Sequence, residues 1–157
     1  MIKISLPGSK SITNRAVLIA SLAKGKSVLT NALESDDTVH MQKALKTLGV
    51  KAKTVGKTLV ISAKILKKPR RELFCGNAGT AMRFLTAVLA TQPFESIITG
   101  DFRMQKRPIK DLAVALKQLG AKIEYIKKNG YPPLKIKGPL LGGTCKVKGD
   151  ISSQFLS

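Results

Sequence analysis

The sequence predicts an α/β fold assembled from repeated β-α-β-α-β-β units, and three observations predict it. Strand-like alternation and helix-like periodicity of the apolar residues succeed one another along the chain. The segment from Ala44 to Lys51 returns 71 positions later as Ala115 to Lys122, changed only at Thr47/Gln118 and Val50/Ala121. The turn Gly8-Ser9-Lys10-Ser11 returns 68 positions later as Gly76-Asn77-Ala78-Gly79, and the same shift lays Arg15 on Arg83. A repeat of about 70 residues exceeds the common solenoid units, so a duplicated α/β module is expected rather than an open array.

Ile2, Ile4 and Leu6 alternate with Lys3 and Ser5 as a short opening strand, and Ile12, Ala16, Val17, Ile19, Ala20 and Ala23 mark a helix ended by Gly25. Ser27 to Leu33 reads as the next strand. Ser35-Asp36-Asp37 then caps a helix carrying Met41, Ala44, Leu45 and Leu48 and stopped by Gly49. The adjacent acids suit a helix start better than a catalytic pair. Val50 to Val55 and Thr58 to Ile61, split by Gly56-Lys57, form a hairpin that closes the first unit.

The second copy supplies helices over Thr80–Thr91 and Ile109–Leu119, a strand at Ser96–Thr99, and strands at Lys122–Lys127 and Pro133–Lys137 that enclose Asn129-Gly130. A shift of 71 also lays Arg83-Phe84-Leu85 on Gln154-Phe155-Leu156, where a third copy begins. The junctions near Leu66–Leu73 and Pro139–Gly143 read as tight connections, not linkers. The length suits one domain with a real core. Phe155 and Leu156 call for partners that the rest of the sequence does not supply, so a fragment of a longer enzyme is expected.

Lysine and arginine number 28 against 9 acids, a net charge of +19 that favours anionic partners. The densest run, Lys64 to Arg71, has no aromatic residue interleaved, and the chain has no Trp; a solvated loop describes this run better than a nucleic-acid groove. Cys75 and Cys145 fit neither a disulfide framework nor a metal site, and His40 is the only histidine, so a reducing cytoplasm is the simplest setting. No secretory h-region precedes Pro7-Gly8-Ser9, and the longest apolar run, Ala16 to Ala20, is too short to span a bilayer.

The chemistry concentrates at helix starts. First-turn N–H groups lack internal partners and carry partial positive charge, so a turn bearing Ser9, Lys10, Ser11 and Arg15 favours phosphate or carboxylate. Lys10 supplies a mobile point charge and Arg15 a planar fork. A side chain at Gly79 could obstruct close approach of a ligand to backbone N–H groups. Pro108 favours an extended Arg107 and can begin the next helix. Asp101 suits a loop-stabilising role, and Ser152 an N-cap with Gln154 reaching back to it.

Leu6 to Arg15, Gly76-Asn77-Ala78-Gly79-Thr80-Ala81-Met82-Arg83, Gly100-Asp101 with Met104 and Arg107-Pro108, and Ser152-Ser153-Gln154-Phe155-Leu156 together closely resemble, in order and from end to end of the chain, the signatures of the 5-enolpyruvylshikimate-3-phosphate synthases. The resemblance implies transfer of the enolpyruvyl group of phosphoenolpyruvate to the 5-hydroxyl of shikimate 3-phosphate, with release of phosphate and without metal or organic cofactor. It implies an inside-out α/β barrel domain of three such units, facing a second domain across a cleft. Residues 1–8 would be an opening strand near the interdomain hinge. Residues 9–157 would form an incomplete N-terminal domain, with repeats at about 9–75 and 76–148, a third beginning near 150, and the C-terminal domain absent.

Carried over by motif, Lys10 would be the catalytic lysine between both substrates. Ser11, Arg15, Ser152, Ser153 and Gln154 would hold shikimate 3-phosphate, while Asn77, Gly79, Thr80, Arg107 and Gln154 would hold phosphoenolpyruvate. Arg83 suits a supporting role behind the loop, outside the site proper. The implied enzyme is cytoplasmic, a monomer when complete, and partners neither nucleic acid nor membrane.

Many members of the resembled family read Met-Arg-Pro-Leu where this chain has Met82-Arg83-Phe84-Leu85. Phe84 cannot fix the helix's first turn as proline would, and it is expected behind Gly79 and Thr80. The resembled family's acid/base candidates belong to its C-terminal half, so these residues would make half an active site. Two alternatives stay open: the related UDP-N-acetylglucosamine enolpyruvyl transferases, whose opening motif has Lys-Asn where this chain has Lys10-Ser11, and a basic nucleic-acid-binding module.

Overall fold

The computed structural model describes residues 4, 6–62, 65–148 and 152–156. Of the expected opening strand, Ile2, Lys3 and Ser5 lie outside these residues, as does Lys64 of the basic run. The first helix, α1 (Lys10–Leu22), starts where Ser9 accepts the Ile12 N–H. The strand after it is shorter than expected: β1 covers Lys26–Leu29, because the chain turns at Thr30–Asn31 with Asn31 in the left-handed region at φ 51°. Helix α2 (Asp36–Thr47) begins at a reciprocal capping box in which Ser35 accepts the Thr38 N–H and Thr38 Oγ1 accepts the Ser35 N–H. Asp36 and Asp37 thus occupy the first turn beside the cap.

Strands β2 (Lys51–Val55) and β3 (Thr58–Ser62) complete the first unit as an antiparallel hairpin. The second unit opens with a strand that sequence periodicity does not reveal, the two-residue β4 (Leu73–Phe74). It continues through α3 (Gly79–Ala90), β5 (Glu95–Thr99), a 3-10 turn at Met104–Lys106, α4 (Lys110–Gln118), β6 (Lys122–Tyr125) and β7 (Leu134–Lys137). A last 3-10 turn covers Ser153–Phe155.

The strands form two open sheets, ordered β1-β3-β2 and β4-β5-β7-β6, and the described residues close no barrel. Their registers match. In the first sheet Lys26 and Lys51 both pair with Ser62; in the second Glu95 and Lys122 both pair with Lys137. In each sheet the last strand of the unit is thus inserted between the two strands that precede it, the second of which follows a helix. β4 adds a parallel edge beside β5.

Helix α3 carries apolar residues nearly all round and is buried on almost every residue, so it forms the centre of the molecule. It packs on β5 and β7 on one side and on α1, α2 and α4 on the others. Leu59 and Ile61 of β3, Ile98 of β5, and Leu134 and Ile136 of β7 alternate into the core, while β2 is exposed on every residue and bears Lys51 and Lys53 along its edge. The basic loop is not wholly solvated. Its Lys67 N–H donates to Leu48 O at 2.9 Å, and the Lys67 stem lies over Gly49.

Cys75 is fully buried at the end of β4, and burial pushes its thiol up to about 12, whereas Cys145 is half-buried. At pH 7 a pKa near 12 leaves roughly one thiol in 10⁵ as the reactive thiolate. Iodoacetamide at neutral pH should therefore label Cys145 and spare Cys75 until the chain is unfolded, as peptide mass analysis would show; rapid native labelling of Cys75 would contradict the packing.

Candidate anion-binding site

The site is built where three chain segments end or begin. Helix α3 starts at Ala78 without any side-chain cap, which leaves its first-turn N–H groups open. Just upstream, Gly76 has φ +53° and sits against the His40 ring with no room for a side chain. Its carbonyl accepts the Asp101 N–H at 3.1 Å, which ties this turn to the loop after β5. Asp101 stabilises that loop: its carboxylate accepts the N–H groups of Arg103 at 3.0 Å and Met104 at 2.8 Å. The loop ends with Arg107 extended before Pro108, at φ −93° and ψ 126°.

This arrangement aims Arg107 back across the α3 N-terminus. Its Nη1 donates to Asn77 O at 3.1 Å. A Cβ placed on Gly79 would lie 2.7 Å from Arg107 Nη2 and 2.7 Å from Arg83 Nη1, so two guanidinium groups converge over one glycine. Arg83 is only 6% exposed. Its Nη1 donates to Gln154 Oε1 at 2.7 Å, its Nη2 donates to Pro108 O at 3.4 Å, and its guanidinium stacks on the Phe155 ring. Gln154 Nε2 donates in turn to Thr80 Oγ1 at 3.1 Å. Gln154 therefore reaches across to α3, and not back to Ser152 as the capping pattern predicts; Ser152 Oγ accepts the Gln154 N–H at 3.3 Å.

Neither Arg83 nor Arg107 pairs with a carboxylate among the described residues. Burial, and then the neighbouring Arg107 charge, hold the Arg83 guanidinium below its ordinary pKa. Open helix N–H groups, the Thr80 hydroxyl and the Arg107 guanidinium, with Arg83 at its flank and no carboxylate paired to either among the described residues, have the chemistry that suits a phosphate or carboxylate.

The opening motif lies on the neighbouring helix. Arg15, in the second turn of α1, stands over the ring of Phe84 in the second turn of α3 at 5.1 Å, which sets the N-terminal turns of the two helices side by side. Phe84, buried one turn after Thr80 on the same helix, supports Arg15. Ser11 is exposed, and its carbonyl accepts from Arg15 Nη1 at 3.3 Å. Lys10 does not join the guanidinium pair: its Nζ lies 3.5 Å from Asp37 Oδ2, and its side chain is 53% exposed. Ser153 is exposed at the last turn. Asn77, Gly79, Thr80, Arg107 and Gln154 are thus brought together, Arg15 lies alongside, and Lys10 points to α2. Arg83, expected in a supporting role behind the loop, is buried and bonded to Gln154 and to Pro108 O.

A family model described as EPSP synthase (3-phosphoshikimate 1-carboxyvinyltransferase) matches residues 2–157. This chain belongs to the EPSP synthase family. Curated 3-phosphoshikimate 1-carboxyvinyltransferases are similar to it: that of Aliivibrio salmonicida is 51% identical over 162 residues, covering 99% of this chain and 38% of the relative. That of an Escherichia coli strain is 48% identical over 159 residues, covering 98% of this chain and 37% of the relative. The chain thus spans well under half the length of these relatives. Among solved structures, an EPSP synthase from Acinetobacter baumannii superposes with a TM-score of 0.85 at 31% identity, over 97% of this chain and 35% of that one. An enolpyruvyl transferase from Streptomyces tendae, 19% identical over 82% of this chain and 29% of that one, shares the fold at a TM-score of 0.53.

Within this EPSP synthase fold, Gly79 gives a test of the anion site. Its backbone is helical and its nearest neighbours are the ends of the Arg107 and Arg83 side chains; with Arg83 held by Gln154, Pro108 and Phe155, the less buried Arg107 gives way, so Gly79→Ala should fold while pushing the Arg107 guanidinium from the helix mouth. Loss of one charge-assisted hydrogen bond is worth about 1.5–3 kcal/mol, so affinity for a phosphate-bearing ligand should fall at least about tenfold with little change in melting temperature. Unchanged affinity in a titration would remove Gly79 from the site.

Proposed function

We propose that this chain forms the N-terminal part of the active site of an enzyme that transfers the enolpyruvyl group of phosphoenolpyruvate to the 5-hydroxyl of shikimate 3-phosphate, releasing phosphate. The observation that carries this reading is the convergence of Arg83 and Arg107 over Gly79, with no carboxylate partner among the described residues, tied through Gln154 to the Ser152–Ser153 turn. Both substrates are anions bearing a carboxylate and a phosphate, and the leaving group is itself phosphate. Fixed cations and N–H donors at the point where charge builds on the leaving phosphate lower the barrier without reorganising at the moment of reaction.

In this reading Asn77, Gly79, Thr80, Arg107 and Gln154 hold phosphoenolpyruvate. Ser11, Arg15, Ser152, Ser153 and Gln154 hold shikimate 3-phosphate. Lys10 swings from Asp37 to lie between the two; an ion pair this exposed holds it by no more than about 1 kcal/mol. Residues 1–8 lead from the hinge, the units run over about 9–75 and 76–148, and a third begins near 150. The acid/base groups come from the other half of the enzyme, which works in the cytoplasm as a monomer and takes neither nucleic acid nor membrane as partner. Among the described residues, no helix is long and apolar enough to cross a membrane.

Calorimetry of the chain with shikimate 3-phosphate, phosphoenolpyruvate and an oligonucleotide at two salt concentrations tests this reading. Saturable binding of the two small ligands is expected. Binding of the oligonucleotide alone, falling steeply with salt, would favour diffuse electrostatics from the +19 charge. The chain by itself should release no phosphate from the substrate pair, and release above a heat-killed control would contradict the division of labour.

In the full polypeptide, Arg107→Gln should weaken phosphoenolpyruvate binding by about 2 kcal/mol and leave binary shikimate 3-phosphate affinity nearly unchanged, whereas Ser152→Ala should cost about 1 kcal/mol with shikimate 3-phosphate only. Equal loss of shikimate 3-phosphate binding in both variants would overturn this division of the cleft.

A further inference from the structure

We propose that Arg83 is a positioning residue that fixes the side-chain amide of Gln154, and so locks the shikimate 3-phosphate turn to the phosphoenolpyruvate corner. This rests on the functional reading above and extends it to a residue outside the expected ligand set. A guanidinium can only donate, so Arg83 Nη1 at 2.7 Å compels Gln154 to present Oε1 to it. The amide nitrogen is then left to face α3, where it donates to Thr80 Oγ1 at 3.1 Å. One buried cation thereby dictates which end of the Gln154 amide meets each neighbour.

The rest of the Arg83 environment holds it to this task. Pro108 O accepts its Nη2 at 3.4 Å, and the Phe155 ring lies 5.3 Å from its Cζ. It therefore touches the residues after Arg107 and after Gln154 at once. No carboxylate among the described residues competes for it, and Arg107 beside it is repulsive. An arginine whose purpose was a structural ion pair would have an acidic partner; this one directs Nη1 to the Gln154 amide and Nη2 to a loop carbonyl, while its buried Nε–H has no partner among the described residues.

The test is a double-mutant cycle in the full polypeptide, pairing Arg83→Met with Gln154→Leu and reading the dissociation constants of shikimate 3-phosphate and phosphoenolpyruvate beside the melting temperature. Each single variant should weaken binding of both ligands by about ten- to a hundredfold, the worth of a hydrogen bond to a charged group. The double variant should bind no worse than the weaker single, because both remove one interaction. Arg83→Lys keeps the charge but not the fork, and should recover part of the affinity with the fold intact even if Arg83→Met folds poorly. Affinities of Arg83→Met and Arg83→Lys equal to the unsubstituted protein, or effects that add in the double variant, would overturn the positioning role. An unsubstituted protein that binds neither ligand would instead overturn the functional reading and this inference with it.

Discussion

Two like charges held together at the mouth of a helix are the constraint on which the rest of the site depends. Unit charges at 4 Å repel by about 4 kcal/mol at an effective dielectric of 20. The protein meets that repulsion with neutral acceptors: Asn77 O for Arg107, and Pro108 O and Gln154 Oε1 for Arg83. None of these cancels the charge. The structure therefore holds Arg83 and Arg107 in place by local geometry, through the extended backbone at Arg107, the Asp101-stabilised loop and the bare backbone of Gly79.

The repeated unit explains why such corners lie side by side. The two sheets share one strand order and one register, so the helices that accompany them bring equivalent starts, Lys10 in α1 and Gly79 in α3, to neighbouring positions. The contact of Arg15 with Phe84 joins the two, and Gln154 joins the second to the turn at Ser152. The Phe84 ring gives aromatic support beneath Arg15 and so bridges the two helices.

Much of this was legible in the sequence, for local reasons. Ser35-Asp36-Asp37, Gly49, and Gly56-Lys57 announce a cap, a stop and a hairpin within a few residues, and the repeat from Ala44 to Ala115 tied one unit to the other. The elements that escaped are those without local signal. β4 is two residues long and exists because Leu73 and Phe74 pair with Ile98 and Thr99. β1 ends early because Asn31 takes a left-handed turn. The Gln154 side chain bonds partners 71 and 74 positions away, Arg83 and Thr80, a pairing invisible to local capping rules.

Anion binding at Gly79, Thr80 and Arg107 is tested by titrating inorganic phosphate into isotope-labelled chain and following amide and guanidinium resonances. Saturable shifts are expected at the Gly79 and Thr80 amides and at the Arg107 Nε–H group, while the exposed hairpin turn at Gly56-Lys57 stays still. Weak, unsaturable shifts spread over the lysine-bearing surface, with nothing distinct at Gly79, would contradict it.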